Sequence, residues 1–177
     1  YGSENIIIRD IIVDSYCAGI YVEASSSIHM DGLNITHCKG HAVCIRASQD
    51  IAVANSTMSQ IDGTCLILEE SAMVLVKDNE LESVLYALEV IGSRNIVIVN
   101  NNIYFWHLVK LPRISFYNSK NISFNSNTVD DSQRGIILLS STENVIMQNN
   151  TLFGLTIMIR GSKDAIETIN MHGNTVN

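Results

Sequence analysis

Ser93-Arg94-Asn95-Ile96-Val97-Ile98-Val99-Asn100-Asn101-Asn102-Ile103 decides the fold, because weaker copies of it recur along the whole chain. Ile96, Ile98, Asn101 and Ile103 occupy slots spaced as Ser, two residues, apolar, one, apolar, two, Asn, one, apolar. Upstream, the slots hold Ile6, Ile8, Ile11 and Val13 after Ser3; Ile28, Met30, Leu33 and Ile35 after Ser25; Ile51, Val53, Ser56 and Met58 after Ser48; and Val74, Val76, Asn79 and Leu81 after Ser71. Downstream, they hold Ile122, Phe124, Asn127 and Val129 after Ser119, then Val145, Met147, Asn150 and Leu152 after Thr142. A partial copy after Ser162 carries Ile169, Met171, Asn174 and Val176. Most copies begin 22 or 23 residues apart, and the fifth, from Ser93 to Ser119, takes 26. A fixed period of this size marks a solenoid.

Each copy adds a second alternating pair, such as Ile20 and Val22, Val43 and Ile45, Leu66 and Leu68, or Leu88 and Val90. Short alternating runs rich in Ile and Val, punctuated by Asn, Asp, Gly and Ser, read as strands and turns and give helix no foothold. A strand that meets its equivalent one turn later must stack on it in parallel. The fold class is therefore all-β: a right-handed parallel β-helix of about eight coils, its hand following the preference of parallel crossovers. A leucine-rich repeat shares the period and the Asn slot. Its first leucine, however, would fall on Ser25, Ser48, Ser71, Ser93 and Ser119.

Asn79, Asn101, Asn127, Asn150 and Asn174 are expected to stack as an internal ladder that satisfies polar groups at the bend. Ile11, Leu33 and Ser56 in the same slot end it near the N-terminal third.

The chain of 177 residues with 46% hydrophobic content suits one domain. Its Tyr start suggests an excerpt or a processed part of a longer protein. No apolar run reaches the length of a membrane span. A formal net charge of −7 without a Lys/Arg cluster argues against nucleic acid as a partner. Cys17, Cys38, Cys44 and Cys65 lack paired spacing and read as buried thiols. His29, Asp31, His37, Cys38, His41 and Cys44 gather in the second coil, but on different strands and turns, so neither a metal nor another cofactor is expected. Glu23, Arg46 and Glu69 share one outward slot as a surface charge ladder.

The repeat pattern and its ladder resemble the right-handed parallel β-helix family, the pectin-lyase-like solenoids, over about the whole chain. That resemblance implies polysaccharide lyases, hydrolases or epimerases, phage tailspikes, adhesins or intracellular interaction modules, and fold alone does not choose among them. The family's Trp-Ile-Asp-His and Asp-Pro-His segments are absent from this sequence. Asp130-Asp131 looks like the paired acids of polygalacturonases, whose companion motifs are also absent.

The longest excursion, Tyr104-Phe105-Trp106-His107 in the fifth coil, is the expected binding loop, since solenoid insertions project from one face. Tyr104, Trp106 and His107 would bind substrate, with the Trp106 ring against a sugar face. Glu82 and Asp130, one coil to either side, would lie roughly 9–10 Å apart. That is near the upper end of the carboxylate separation in inverting glycosidases, about 6.5–9.5 Å. Asp131 and Arg134 would complete a charged rim, or in a lyase would neutralise a uronate while Arg134 or a nearby base removes the proton. The competing reading leaves Phe105 and Trp106 covering the coil's flank and the acids solvated. The expected protein is a secreted, cell-surface or phage-tail module that binds, and in one version cleaves, a polysaccharide. The alternative is a structural or protein-interaction β-helix, as a homo-oligomer or part of a longer chain.

Overall fold

Each of the first five coils folds into three strands rather than the two that the apolar spacing suggests. In the fifth coil these are Arg94–Val99, Asn102–Phe105 and Pro112–Tyr117. The extra corner is made by one residue with a left-handed backbone just before the Asn slot: Gly32 (φ 64°), Asn55 (48°), Asp78 (55°), Asn100 (56°), Ser126 (55°) and Asn149 (55°). Apart from glycine these are short polar side chains, and Asn and Asp above all tolerate that conformation. The bend splits the four-slot run into two strands that face different ways. The computed structural model describes residues 2–15, 17–105 and 112–176, with the backbone alone at 112 and 132–134.

The first strands of successive coils form an eight-stranded parallel sheet, the first face. Its register pairs Val74 with Ile96 and Ile96 with Ile122, as the period requires. The second and third strands make the second and third faces. These two are joined into one thirteen-stranded path because Thr128–Ser140 runs through the corner between them. Thr151–Arg160 runs through the same corner one coil on. Slot residues from all three faces meet in one core, and Ile96, Ile98, Ile103, Ile114 and Phe116 of the fifth coil are fully buried. Each such side chain contributes about 1.5–3 kcal/mol relative to exposure. Phe116 meets Phe124 edge to face, with ring centroids 6.0 Å apart.

The Asn ladder forms as a repeated pair of bonds. Asn101 donates through its backbone N–H (2.9 Å) and Nδ2 (3.0 Å) to Asn127 Oδ1, and through Nδ2 to the Val76 and Val99 carbonyls. Asn79 treats Asn101 in the same way, and Ser56 N–H donates to Asn79 Oδ1 as the ladder's last link. A second ladder went unread in the sequence, where Ser served only to mark the start of each copy. The N–H groups of Ser25, Ser48, Ser71 and Ser93 donate to the hydroxyl of the next coil's Ser at 3.0–3.2 Å. Each hydroxyl in turn donates to the carbonyl two residues before it, as Ser48 does to Arg46 at 2.7 Å. Two of the three corners are thus sealed by stacked polar side chains. No buried side-chain nitrogen or oxygen among the described residues lacks a partner.

Among the described residues helix occurs once. Lys163–Glu167, between Ser162 and the slots of the partial copy, forms one short helix capped by the Ser162 hydroxyl, which accepts from Ala165 N–H at 3.2 Å. The register also bears out the charge ladder: Glu23 pairs with Arg46 and Arg46 with Glu69, the last two joined at 3.6 Å.

Ile6 and Ile11 of the first coil and Met171 and Val176 of the last described coil are exposed, although the corresponding slots inside the stack are buried. Unpaired parallel edges with apolar side chains template further pairing. The isolated 177-residue chain is therefore expected to self-associate end to end. Sedimentation velocity should show mass rising with concentration, and Ile6→Lys with Ile11→Lys should suppress it. A strictly monomeric boundary at high concentration would contradict the exposed-edge argument.

Candidate functional site

Two insertions fall at the corner between the second and third faces. In the fifth coil residues 106–111 separate Phe105 from Pro112, whereas in the fourth only Val84 and Leu85 intervene between Ser83 and Tyr86. In the sixth coil four residues, 131–134, lie opposite the single Gly154 of the seventh. The core beneath this corner is polar. Arg113 and Asp131 are both fully buried, and Arg113 Nε donates to Asp131 Oδ2 at 2.9 Å. Arg113 Nη1 donates to the carbonyls of Val84 (2.6 Å) and Leu85 (3.2 Å), and its guanidinium carbon lies 4.9 Å from the Phe105 ring centroid. A β-carbon at Gly135 would run into the Asp131 carboxylate and the Arg113 stem, so glycine makes room for the pair.

On one side of this corner the second face carries an outward column in register: Glu82, Tyr104, Asp130 and Phe153, one per coil. Acid and aromatic alternate at the coil spacing. Tyr104, Asp130 and Phe153 are exposed and Glu82 is half-buried. The structure therefore brings together three of the residues singled out in the sequence, Glu82, Tyr104 and Asp130. Asp131 is corrected: it turns inward as the partner of Arg113 instead of lining a charged rim. Trp106 and His107 lie outside the described residues, as does the side chain of Arg134.

On the other side, the third face holds a concavity of about 340 Å³ lined by Tyr86, Glu89, Ile91, Ser115, Tyr117 and Leu138. Alternation creates it. Leu88, Val90, Ile114 and Phe116 point into the core, so Glu89, Ile91, Ser115 and Tyr117 point out. Register then sets Glu89 beside Ser115, Ser115 beside Leu138, and Ile91 beside Tyr117. The Glu89 carboxylate is fixed by the Thr64 hydroxyl, which donates to Oε2 at 2.8 Å. The size falls within the range of ligand pockets, about 300–1,000 Å³. Sequence reasoning missed this group by giving weight to the aromatic excursion. The signal was the alignment of Leu88 and Val90 with Ile114 and Phe116.

Cys38, Cys44 and Cys65 offer no activated nucleophile. Burial pushes the Cys65 thiol far above its ordinary range, and burial also raises Cys38 and Cys44. Cys17 is exposed, against the expectation of four buried thiols. His37 bonds Asp14 at 2.9 Å in the second coil's turn, while His29 lies on the first face and Cys44 on the third. Among the described residues no three His, Cys, Asp or Glu side chains converge as metal ligands. No helix among them is long and apolar enough to cross a membrane.

Residues 1–152 match the family described as right handed beta helix region. No curated protein matches the chain. Among solved structures, the A-module of the Azotobacter vinelandii mannuronan C-5 epimerase AlgE6 superposes with a TM-score of 0.75 at 14% identity, covering 98% of this chain and 57% of that one. A mutant of the periplasmic alginate epimerase AlgG gives 0.73 at 13% identity, covering 98% of this chain and 46% of the other. An alginate lyase from Paenibacillus sp. str. FPU-7 gives 0.52 at 10% identity, covering 94% and 79%. This chain spans about half the length of the two epimerases. At such identities the likeness is one of fold.

Proposed function

The chain belongs to the right-handed β-helix family, and on that premise we propose that it is the polysaccharide-binding part of a secreted or surface-exposed protein. The observation that carries the reading is the third-face pocket, where Tyr86 and Tyr117 flank a fixed carboxylate, Glu89, and a hydroxyl, Ser115. Aromatic faces with a few convergent polar groups suit the apolar ring face and the hydroxyls of a sugar. A coil is about 4.8 Å high, close to the length of one pyranose unit, so a chain running along the solenoid axis would meet the outward side chains of one coil at each sugar. The outward column of Glu82, Tyr104, Asp130 and Phe153 extends the same chemistry round the corner. The matched structures bearing polysaccharide-enzyme names are consistent with this reading.

Binding is better supported than hydrolysis by an inverting pair. Glu82 and Asp130 are two coils apart, roughly 9–10 Å, but Tyr104 stands between them in register, where the attacking water would have to sit. A panel of oligosaccharides titrated by calorimetry tests the proposal. Tyr117→Ala is expected to weaken binding by about 0.5–1.5 kcal/mol beyond lost contact area, the scale of a favourable aromatic contact. Absence of binding to every glycan, or Tyr117→Ala binding as tightly as the parent, would overturn it. New unsaturated or reducing ends in the same panel would add catalysis to binding. A second reading, a protein-interaction solenoid, is favoured by the exposed row of Leu75, Val97 and Ile146 on the first face; pull-down of a protein lost on Val97→Lys, with no glycan binding, would support it.

A further inference from the structure

We propose that Glu89 makes the third-face pocket selective against acidic glycans, so that its ligand is a sugar chain without carboxylate or sulfate groups. The inference rests on the pocket being a glycan site. A polyuronate places one anionic group on each sugar, and an aromatic pocket accepts that group only against a cation or a set of donors. Here the charged side chain among the described lining residues is a carboxylate. It is not free to swing away, because the Thr64 hydroxyl donates to Oε2 at 2.8 Å and Thr64 is itself buried.

The neighbouring coil adds to the field. Glu69 stands in register beside Ile91, which lines the pocket. Along that column Arg46 lies on the far side of Glu69 and is held by it at 3.6 Å, while on the other side Ser140 separates Tyr117 from Arg160. The order Arg46, Glu69, Ile91, Tyr117, Ser140, Arg160 thus sets an acid directly beside Ile91, with a serine between Tyr117 and the base on the other side. A half-buried carboxylate between two tyrosines instead accepts hydrogen bonds from hydroxyls, or pairs with an amino group, and repels a second anion in a medium less polar than water. This chain's pocket therefore asks for a different ligand from the mannuronan and alginate in the names of the matched structures.

The test measures, by calorimetry, the affinities of neutral, amino-bearing and uronate hexasaccharides for the protein, Glu89→Gln and Glu89→Lys. The parent is expected to bind a neutral or amino-bearing chain and to bind the uronate chain least. Glu89→Gln keeps the acceptor for Thr64 but gives up a charge-assisted acceptor for sugar hydroxyls, so neutral binding should weaken several-fold. It should shift the uronate-to-neutral affinity ratio upward by on the order of tenfold, the scale of one like-charge contact in largely aqueous surroundings, and Glu89→Lys should shift it further. Residual uronate binding by the parent should strengthen with added salt, which screens the repulsion. A parent that prefers the uronate chain, or a ratio unchanged in both variants, overturns the selectivity while leaving the pocket a glycan site. Failure of all three chains to bind any of the proteins overturns the glycan reading and this inference with it.

Discussion

Asp131→Ala is expected to destabilise the protein by about 3–5 kcal/mol, because it strands the Arg113 guanidinium without its carboxylate in a fully buried corner. The bonds from Arg113 to the Val84 and Leu85 carbonyls and its contact with Phe105 remain, which places the loss toward the lower end of that range. Asp130→Ala, one residue away and exposed, should change stability by no more than about 0.5 kcal/mol. Replacing both charges with apolar side chains of similar length, Arg113→Met with Asp131→Leu, should recover most of the stability, since no buried charge is then left alone. Chemical denaturation followed by circular dichroism measures all four proteins. Equal midpoints for Asp131→Ala and Asp130→Ala would mean that the buried pair does not hold the corner.

Asn101→Leu should cost about 1–3 kcal/mol, the penalty of leaving buried polar groups unsatisfied. The Val76 and Val99 carbonyls each lose one donor, Val99 keeping Asp78 N–H, and Asn79 loses the acceptor of its backbone N–H and one of the two acceptors of its amide. Leucine nearly matches the shape, so packing changes little and the loss reports hydrogen bonding. Asn100 is no neutral comparison, because its left-handed backbone (φ 56°) disfavours leucine for a separate reason. The proper control is Asn102→Thr, an outward strand position whose equivalent in the next coil is Thr128. Indistinguishable midpoints for Asn101→Leu and Asn102→Thr would remove the ladder as a source of stability.

These two cases show how far the sequence can be read. The ladder was legible because its residues recur at the period, and recurrence fixes both the slot and its neighbour in the next coil. The position of Asp131 was legible in principle: Val129 fills an inward slot, and alternation turns Asp130 out and Asp131 in. Pairing the two acids as one functional unit obscured it. Arg113 was not legible at all, since it precedes the inward Ile114 and alternation would send it outward. The corner between the second and third faces breaks the alternation and buries it. The third strand of each coil was hidden for a related reason, because a single left-handed residue turns the chain without interrupting the apolar spacing. The pocket's residues are outward and aperiodic in chemistry, so their register identifies them only once the inward slots have been aligned.

The most direct test of the proposed polysaccharide site is an amide hydrogen-exchange footprint of the protein with and without a saturating neutral hexasaccharide. Binding along the third face predicts added protection in Tyr86–Ile91 and Pro112–Tyr117, with Arg94–Val99 of the first face unchanged. Protection confined to the first face, or none anywhere at saturation, would contradict it.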